Sequence, residues 1–338
     1  MKYSDFIENL ADDLQVEFEE RGKKIKVEIE EVDKPWGKEV GLSFNDGSYT
    51  SPIIYPKDQY EYHEAGMNYI LMLNALVDEV ERALDAKPVE IEFDSLTLKE
   101  TITMQLINTE RSLNYLLDKP HRNLEDLSII YRLNINLGDG SNGSSVITNG
   151  VMELMGMNEQ ELYELAMERA PLNLPCVIKN MSEIIAGNMP DMDVQIPESP
   201  LVVVTNKEGD LGASAMLYPE TLERCTDIMN GDFFVLPSSM HEMMICADDN
   251  RISLSALKAM VREVNETTVD CKEFLSDNVY HYDHKEKIFE IADKYVKRMK
   301  EKYSVIDSLK EKRAESEKSN HLRRCQDIGS RKVEGLTH

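Results

Sequence analysis

Cysteine is scarce in this chain of 338 residues and basic side chains are outnumbered. Cys176, Cys225, Cys246, Cys271 and Cys325 make an odd set with no C-x-x-C pair. That argues against both a zinc ribbon and a disulfide framework, and it leaves reduced, buried thiols as the expectation. The 63 Asp and Glu residues exceed the 38 Lys and Arg residues, for a formal net charge of -25. A field of that sign repels phosphate backbones and anionic lipid surfaces, so nucleic-acid binding is disfavoured. The one basic stretch, Lys294 to Arg313, interleaves Glu with Lys and Arg as a solvated helix does. No apolar run approaches the length of a membrane span, and the opening MKYSDFIENLADDLQ carries acids where a signal peptide needs a basic start. These shortages predict a cytoplasmic protein with no membrane contact.

What is present suffices for a folded chain: 41% hydrophobic and 30% charged residues sit near the globular average. Phe6, Leu10, Leu14 and Phe18 recur every four residues before Gly22 and predict an opening amphipathic helix. Alternating Ile25, Val27 and Ile29, and then Val40, Leu42 and Phe44, predict a hairpin with Trp36, the only tryptophan, at its turn. Ser51 to Tyr55 adds a short strand and Met67 to Ala86 a helix. Leu98 to Leu117 reads as one helix or two broken ones, and Leu127 to Leu137 as a strand. A grammar of strand, turn, strand and helix then recurs, with Leu201 to Asn206, Gly212 to Leu217 and Pro219 to Met229 as its second instance. Phe233 to Leu236, Glu242 to Ala247 and Ser253 to Val264 form the third.

The expected fold is α+β, with layered β-sheets built from strand-strand-helix units, helices packed on one face, and a charged C-terminal helix. The domain reading is a small α+β module over residues 1–92, a main α+β domain over 93–296, and a charged, partly disordered helical tail over 297–338.

Three clusters carry candidate chemistry. Gly138-Asp139-Gly140-Ser141-Asn142-Gly143 satisfies G-x-G-x-x-G after a strand, but Ser145-Val146-Ile147-Thr148 continues as a strand where a dinucleotide site needs a helix. A hairpin turn is the preferred reading, and no cofactor is expected. Ser238, Ser239, His241 and Glu242 offer hydroxyls, an imidazole and a carboxylate within five positions, the groups of a nucleophile, base and orienter. In an extended segment Ser239 and His241 share a face and Glu242 points away, so the competing reading is a turn whose polar groups satisfy backbone atoms. His281, Asp283 and His284 are weak metal candidates, since the pair need not face one way. His241-Glu242 also lacks the second histidine of H-E-x-x-H, because position 245 is Ile.

Two blocks resemble a known family: Val204-Thr205-Asn206 through Gly212-Ala213-Ser214 to Leu217-Tyr218-Pro219, and Phe234-Val235-Leu236-Pro237-Ser238-Ser239-Met240-His241-Glu242. Together with Met260 to Asn265 and Leu275 to Tyr280, they are similar to a family of Firmicutes proteins, domain of unknown function 5688. The resemblance runs over roughly residues 1–285 and leaves out the tail after Tyr303. It implies no activity, mechanism or catalytic residue. Since each candidate cluster has a structural explanation, the expected function is a non-enzymatic binding or regulatory protein, with a protein partner as one kind of ligand. The alternatives are a hydrolase-like enzyme using the Ser238 to Glu242 loop and a metal-dependent nuclease of a mobile element.

Overall fold

A computed structural model describes residues 1–47, 51–85, 95–136, 142–188, 199–305, 310 and 312. Helix α1 (Tyr3–Glu20) buries the stripe Phe6, Leu10, Leu14 and Phe18, as four-residue spacing requires of a helix with one apolar face. It packs on an antiparallel sheet of β1 (Lys26–Lys34), β2 (Gly37–Asn45) and β3 (Ile53–Ile54). After α2 (Lys57–Glu64), helix α3 (Tyr69–Asp85) adds Met72, Leu76, Val77 and Val80, and these residues form a core of their own. The β1–β2 hairpin turns through Pro35 and Trp36, with Lys34 opposite Gly37. Its tip leaves that core. Trp36 packs on the larger core, Ser112 Oγ donates to the Pro35 carbonyl at 2.7 Å, and Lys272 pairs with Glu39 at 2.6 Å.

The larger unit begins with α4 (Ser95–Glu100), β4 (Ile102–Asn108), α5 (Leu113–Leu116), β5 (His121–Leu124), β6 (Leu127–Asn136) and β7 (Asn142–Val146). Thus the middle of the stretch from Leu98 to Leu117, expected as one helix or two broken ones, is a strand, with a short helix on either side. Six consecutive residues, Ile102 to Ile107, are buried, polar Thr103 and Gln105 included, so the strand is covered on both faces. β4 pairs with one edge of β6, while β5 and β7 share the other. The glycine run thus leads into a strand antiparallel to β6, although residues 137–141 lie outside the described residues. Met104, Leu106, Ile129 and Tyr131 face the main core, and period-2 alternation turns Gln105, Ile107, Ile130 and Arg132 to the other side.

Helices α6 (Asn149–Leu154) and α7 (Glu159–Asn173) follow, the latter opened by a capping box between Asn158 and Glu161. A six-stranded antiparallel sheet then assembles from β8 (Cys176–Asn180), β9 (Val202–Asn206), β10 (Phe233–Ser239), β11 (Glu242–Ala247), β12 (Tyr280–Asp283) and β13 (Ile288–Ile291), in the order β13-β12-β10-β11-β9-β8. Helices α8 (Met181–Asn188), α9 (Pro219–Met229) and α10 (Leu254–Thr267) connect its strands, and α11 (residues 292–305) ends the described chain apart from residues 310 and 312. Phe233, Val235, Met243 and Ile245 share one core with the β4–β6 sheet; Phe234, Leu236 and Cys246 meet Leu257 and Val261 of α10 on the other face.

The architecture is α+β. Two local expectations need correction. Gly212–Leu217 is a 3₁₀ helix, not a strand, because a Cβ on Gly212 would lie 2.6 Å from Asn206 N and 2.7 Å from the His241 carbonyl, too close for ladder spacing. Residues 288–291 are a strand paired with β12, where a helix running on from Lys285 was expected; Tyr280 stands opposite Ile291 and Tyr282 opposite Phe289. The expected disordered tail falls largely outside the described residues. Among them, no helix is long and apolar enough to cross a membrane.

Candidate ligand-binding cleft

The Ser238 to Glu242 loop is the turn of the β10–β11 hairpin, with a register shift between Pro237 and Ser239. Pro237 stands past the end of the β10–β12 ladder, so its missing N–H is not needed on that side. Ser238 Oγ donates to Glu242 Oε1 at 3.2 Å, and Ser239 Oγ accepts the His241 backbone N–H at 3.1 Å. Among the described residues neither hydroxyl bonds the imidazole ring. His241 turns instead toward other segments: Nδ1 lies 3.1 Å from Leu211 N and 3.0 Å from Asp210 Oδ1, and Nε2 lies 3.4 Å from Glu273 Oε1. A neutral Nδ1 accepts from Leu211, and a protonated one donates to Asp210.

His281, Asp283 and His284 come together in the β12–β13 hairpin, yet each faces a different partner. His281 is fully buried, stacked on Tyr295 with ring centroids 3.5 Å apart, and its Nε2 meets Asp248 at 3.2 Å. His284 engages Asp232 through Nδ1 at 2.5 Å and through its backbone N–H at 2.9 Å. Asp283 accepts from the Lys285 and Glu286 N–H groups and pairs with Arg298 at 3.0 Å. Burial pushes the Asp283 carboxyl up, but the Glu286 N–H and Arg298 outweigh it, and the net direction is down. Among the described residues, no three His, Cys, Asp or Glu side chains converge as a metal site.

A cleft of about 530 Å³ opens beside His241. Its lining draws on the β1–β2 hairpin tip with Trp36, the outward face of the β4–β6–β7 sheet with Gln105, Arg132 and Ser144, and the loops carrying Asp210, His241, Lys272 and Glu273. Strand register explains the sheet's share: Arg132 stands opposite Val146 and Asn134 opposite Ser144, and these alternate positions face the same side as Gln105.

Arg132 is the cleft's most informative residue. It is half-buried, and its guanidinium is held by neutral groups: Nη1 donates to Gln105 Oε1 at 2.9 Å, and Nε and Nη2 donate to Ser144 Oγ at 3.1 and 2.7 Å. No carboxylate of a described residue forms an ion pair with it. Burial lowers its pKa, with Tyr115 and Asp210 opposing from farther off, though an arginine stays charged at any physiological pH. Lys272 differs in having its own carboxylate, Glu39, whose hydrogen bond raises the Lys272 pKa. The Trp36 ring lines the same cleft, and its indole N–H is buried with no acceptor among the described residues. Of the sequence candidates only His241 reaches the cleft. Arg132 and Gln105 were missed, since Arg132 reads as the solvated position of a strand and Gln105 falls in the stretch expected to be helical.

Together these features define an α+β protein with a polar, partly basic cleft between two cores. The chain belongs to a family of unknown function, DUF5688, whose model matches residues 3–284, a span that contains every residue of the cleft named above. No curated protein and no solved structure matches it.

Proposed function

We propose that the protein is a non-enzymatic binding protein of the bacterial cytoplasm whose cleft seats a small ligand by an oxyanion, a carboxylate or phosphate, against Arg132. One observation carries the reading. A partly desolvated guanidinium held by an amide oxygen, a hydroxyl and a backbone carbonyl has, among the described residues, no carboxylate to receive its planar fork of N–H donors. An anion arriving there meets a preformed donor set and displaces little protein structure. The free thiols of Cys176, Cys225, Cys246 and Cys271 support the cytoplasmic assignment, because reduced cysteine belongs to that compartment.

Calorimetric titration with acetate and with inorganic phosphate tests the reading. The native protein should bind at least one of them, and Arg132→Gln should weaken that binding about tenfold or more, as loss of a charged hydrogen-bond pair implies. Equal binding by both proteins would refute it. The hydrolytic alternative keeps one support, the 3.0 Å contact that orients His241 by Asp210. It requires His241→Ala to abolish turnover of an ester or phosphoester substrate that the native protein hydrolyses.

A further inference from the structure

The cleft is not uniformly basic. Asp210 and Glu273 flank the two nitrogens of His241, both line the same space as Arg132, and both side chains keep solvent access, at 68% and 44% of their surface. Asp210 is too far from Arg132 to form an ion pair, yet near enough for its charge to act on the guanidinium. A cation and an anion are thus held across a gap that neither closes. Direct pairing would have neutralised both, as it does for Lys272 and Glu39 at the rim. A ligand with one charge complements only one side of such a gap, whereas a ligand with both charges complements both.

From this we infer that the ligand is zwitterionic, an α-amino acid or short peptide whose carboxylate meets Arg132 and whose ammonium group meets Asp210 and Glu273. This inference rests on the cleft being a binding site and adds the ligand's second charge. A volume of about 530 Å³ accommodates a free amino acid or a few residues of peptide. The ammonium group supplies three donors, which suits two carboxylates set on either side of an imidazole. Trp36 adds an apolar and aromatic surface for the ligand's side chain.

The test is calorimetric titration of the full chain with the standard amino acids, their N-acetyl derivatives and their amides. The intact amino acid that binds best should exceed both of its blocked forms about tenfold or more, since each block deletes a charged contact. Asp210→Asn and Glu273→Gln should each lower affinity for that amino acid without lowering it for the N-acetyl form, a pattern that general unfolding would not give. Comparing alanine with trialanine assigns the shorter or longer ligand within the class. If N-acetyl forms bind as tightly as the parents, the zwitterion inference is wrong and the oxyanion site stands. If no probe binds, acetate and inorganic phosphate included, both readings fall together.

Discussion

A methyl group at Gly212 would meet Thr205 Oγ1 at 2.2 Å, Asn206 N at 2.6 Å and the His241 carbonyl at 2.7 Å. Two of those atoms are backbone and cannot rotate aside. Gly212→Ala is therefore expected to destabilise the protein by about 1–3 kcal/mol, the usual cost of overpacking, as measured by urea denaturation. Because the displaced carbonyl belongs to His241, the same variant should also disturb the cleft. Asp126 is a second single-residue anchor, accepting from Ser276 Oγ at 2.6 Å, Tyr280 OH at 2.7 Å and Asn278 Nδ2 at 3.0 Å. Asp126→Ala strands three donors and should cost about 3 kcal/mol, with a fall in Tm as the readout. At this scale the sequence was legible only in part. His241 was visible because imidazoles are rare and reactive, and Trp36 because it is unique. Arg132 was not, since an arginine in an alternating strand ordinarily marks a solvated face, and only the distant segments around Ser112, Lys272 and His241 turn that face into a cleft.

Among the elements, α7 depends on ionised side chains at its start. Glu159, its first residue, receives Arg122 through both carboxylate oxygens and Tyr131 OH at 2.6 Å. Burial pushes the Glu159 carboxyl up, but hydrogen bonds from Arg122 and Tyr131 outweigh it, so its folded pKa lies below the ordinary 4.5. A carboxyl lowered on folding contributes stability that is complete above its unfolded pKa and lost as the pH falls through the folded one. Thermal stability should therefore drop on acidification below about pH 4.5, and Glu159→Gln should flatten that part of the profile. Helix α10 offers a capping test. Ser253 Oγ accepts the Ala256 N–H at 3.2 Å, so Ser253→Ala should cost about 1 kcal/mol.

Elements with one buried face, such as α1, α3 and the β1–β2 hairpin, were legible because their periodicity survives in the sequence. Strand β4 was not, because Leu98, Ile102 and Leu106 also recur every four residues, a helical spacing that competes with the short alternation of Thr103 and Gln105. The 3₁₀ turn at Gly212–Leu217 was hidden as well, since its run of small residues answers to close backbone contact and not to a period.

Over the whole molecule, the N-terminal core and the larger core meet through the hairpin tip at Trp36, and the cleft lies at that junction. The net charge of -25 makes a local cation in the cleft more selective, because most of the surface repels anions while Arg132 lines the cleft with neutral partners. The same placement makes the only tryptophan a reporter of occupancy. The most direct measurement is therefore intrinsic tryptophan fluorescence of the native chain and of Arg132→Gln during titration with phosphate, acetate and the standard amino acids. The account predicts a saturable change in the native protein that shifts to about tenfold higher ligand concentration in the variant. Superimposable curves for the two proteins, or no saturable change with any of these ligands, would contradict it.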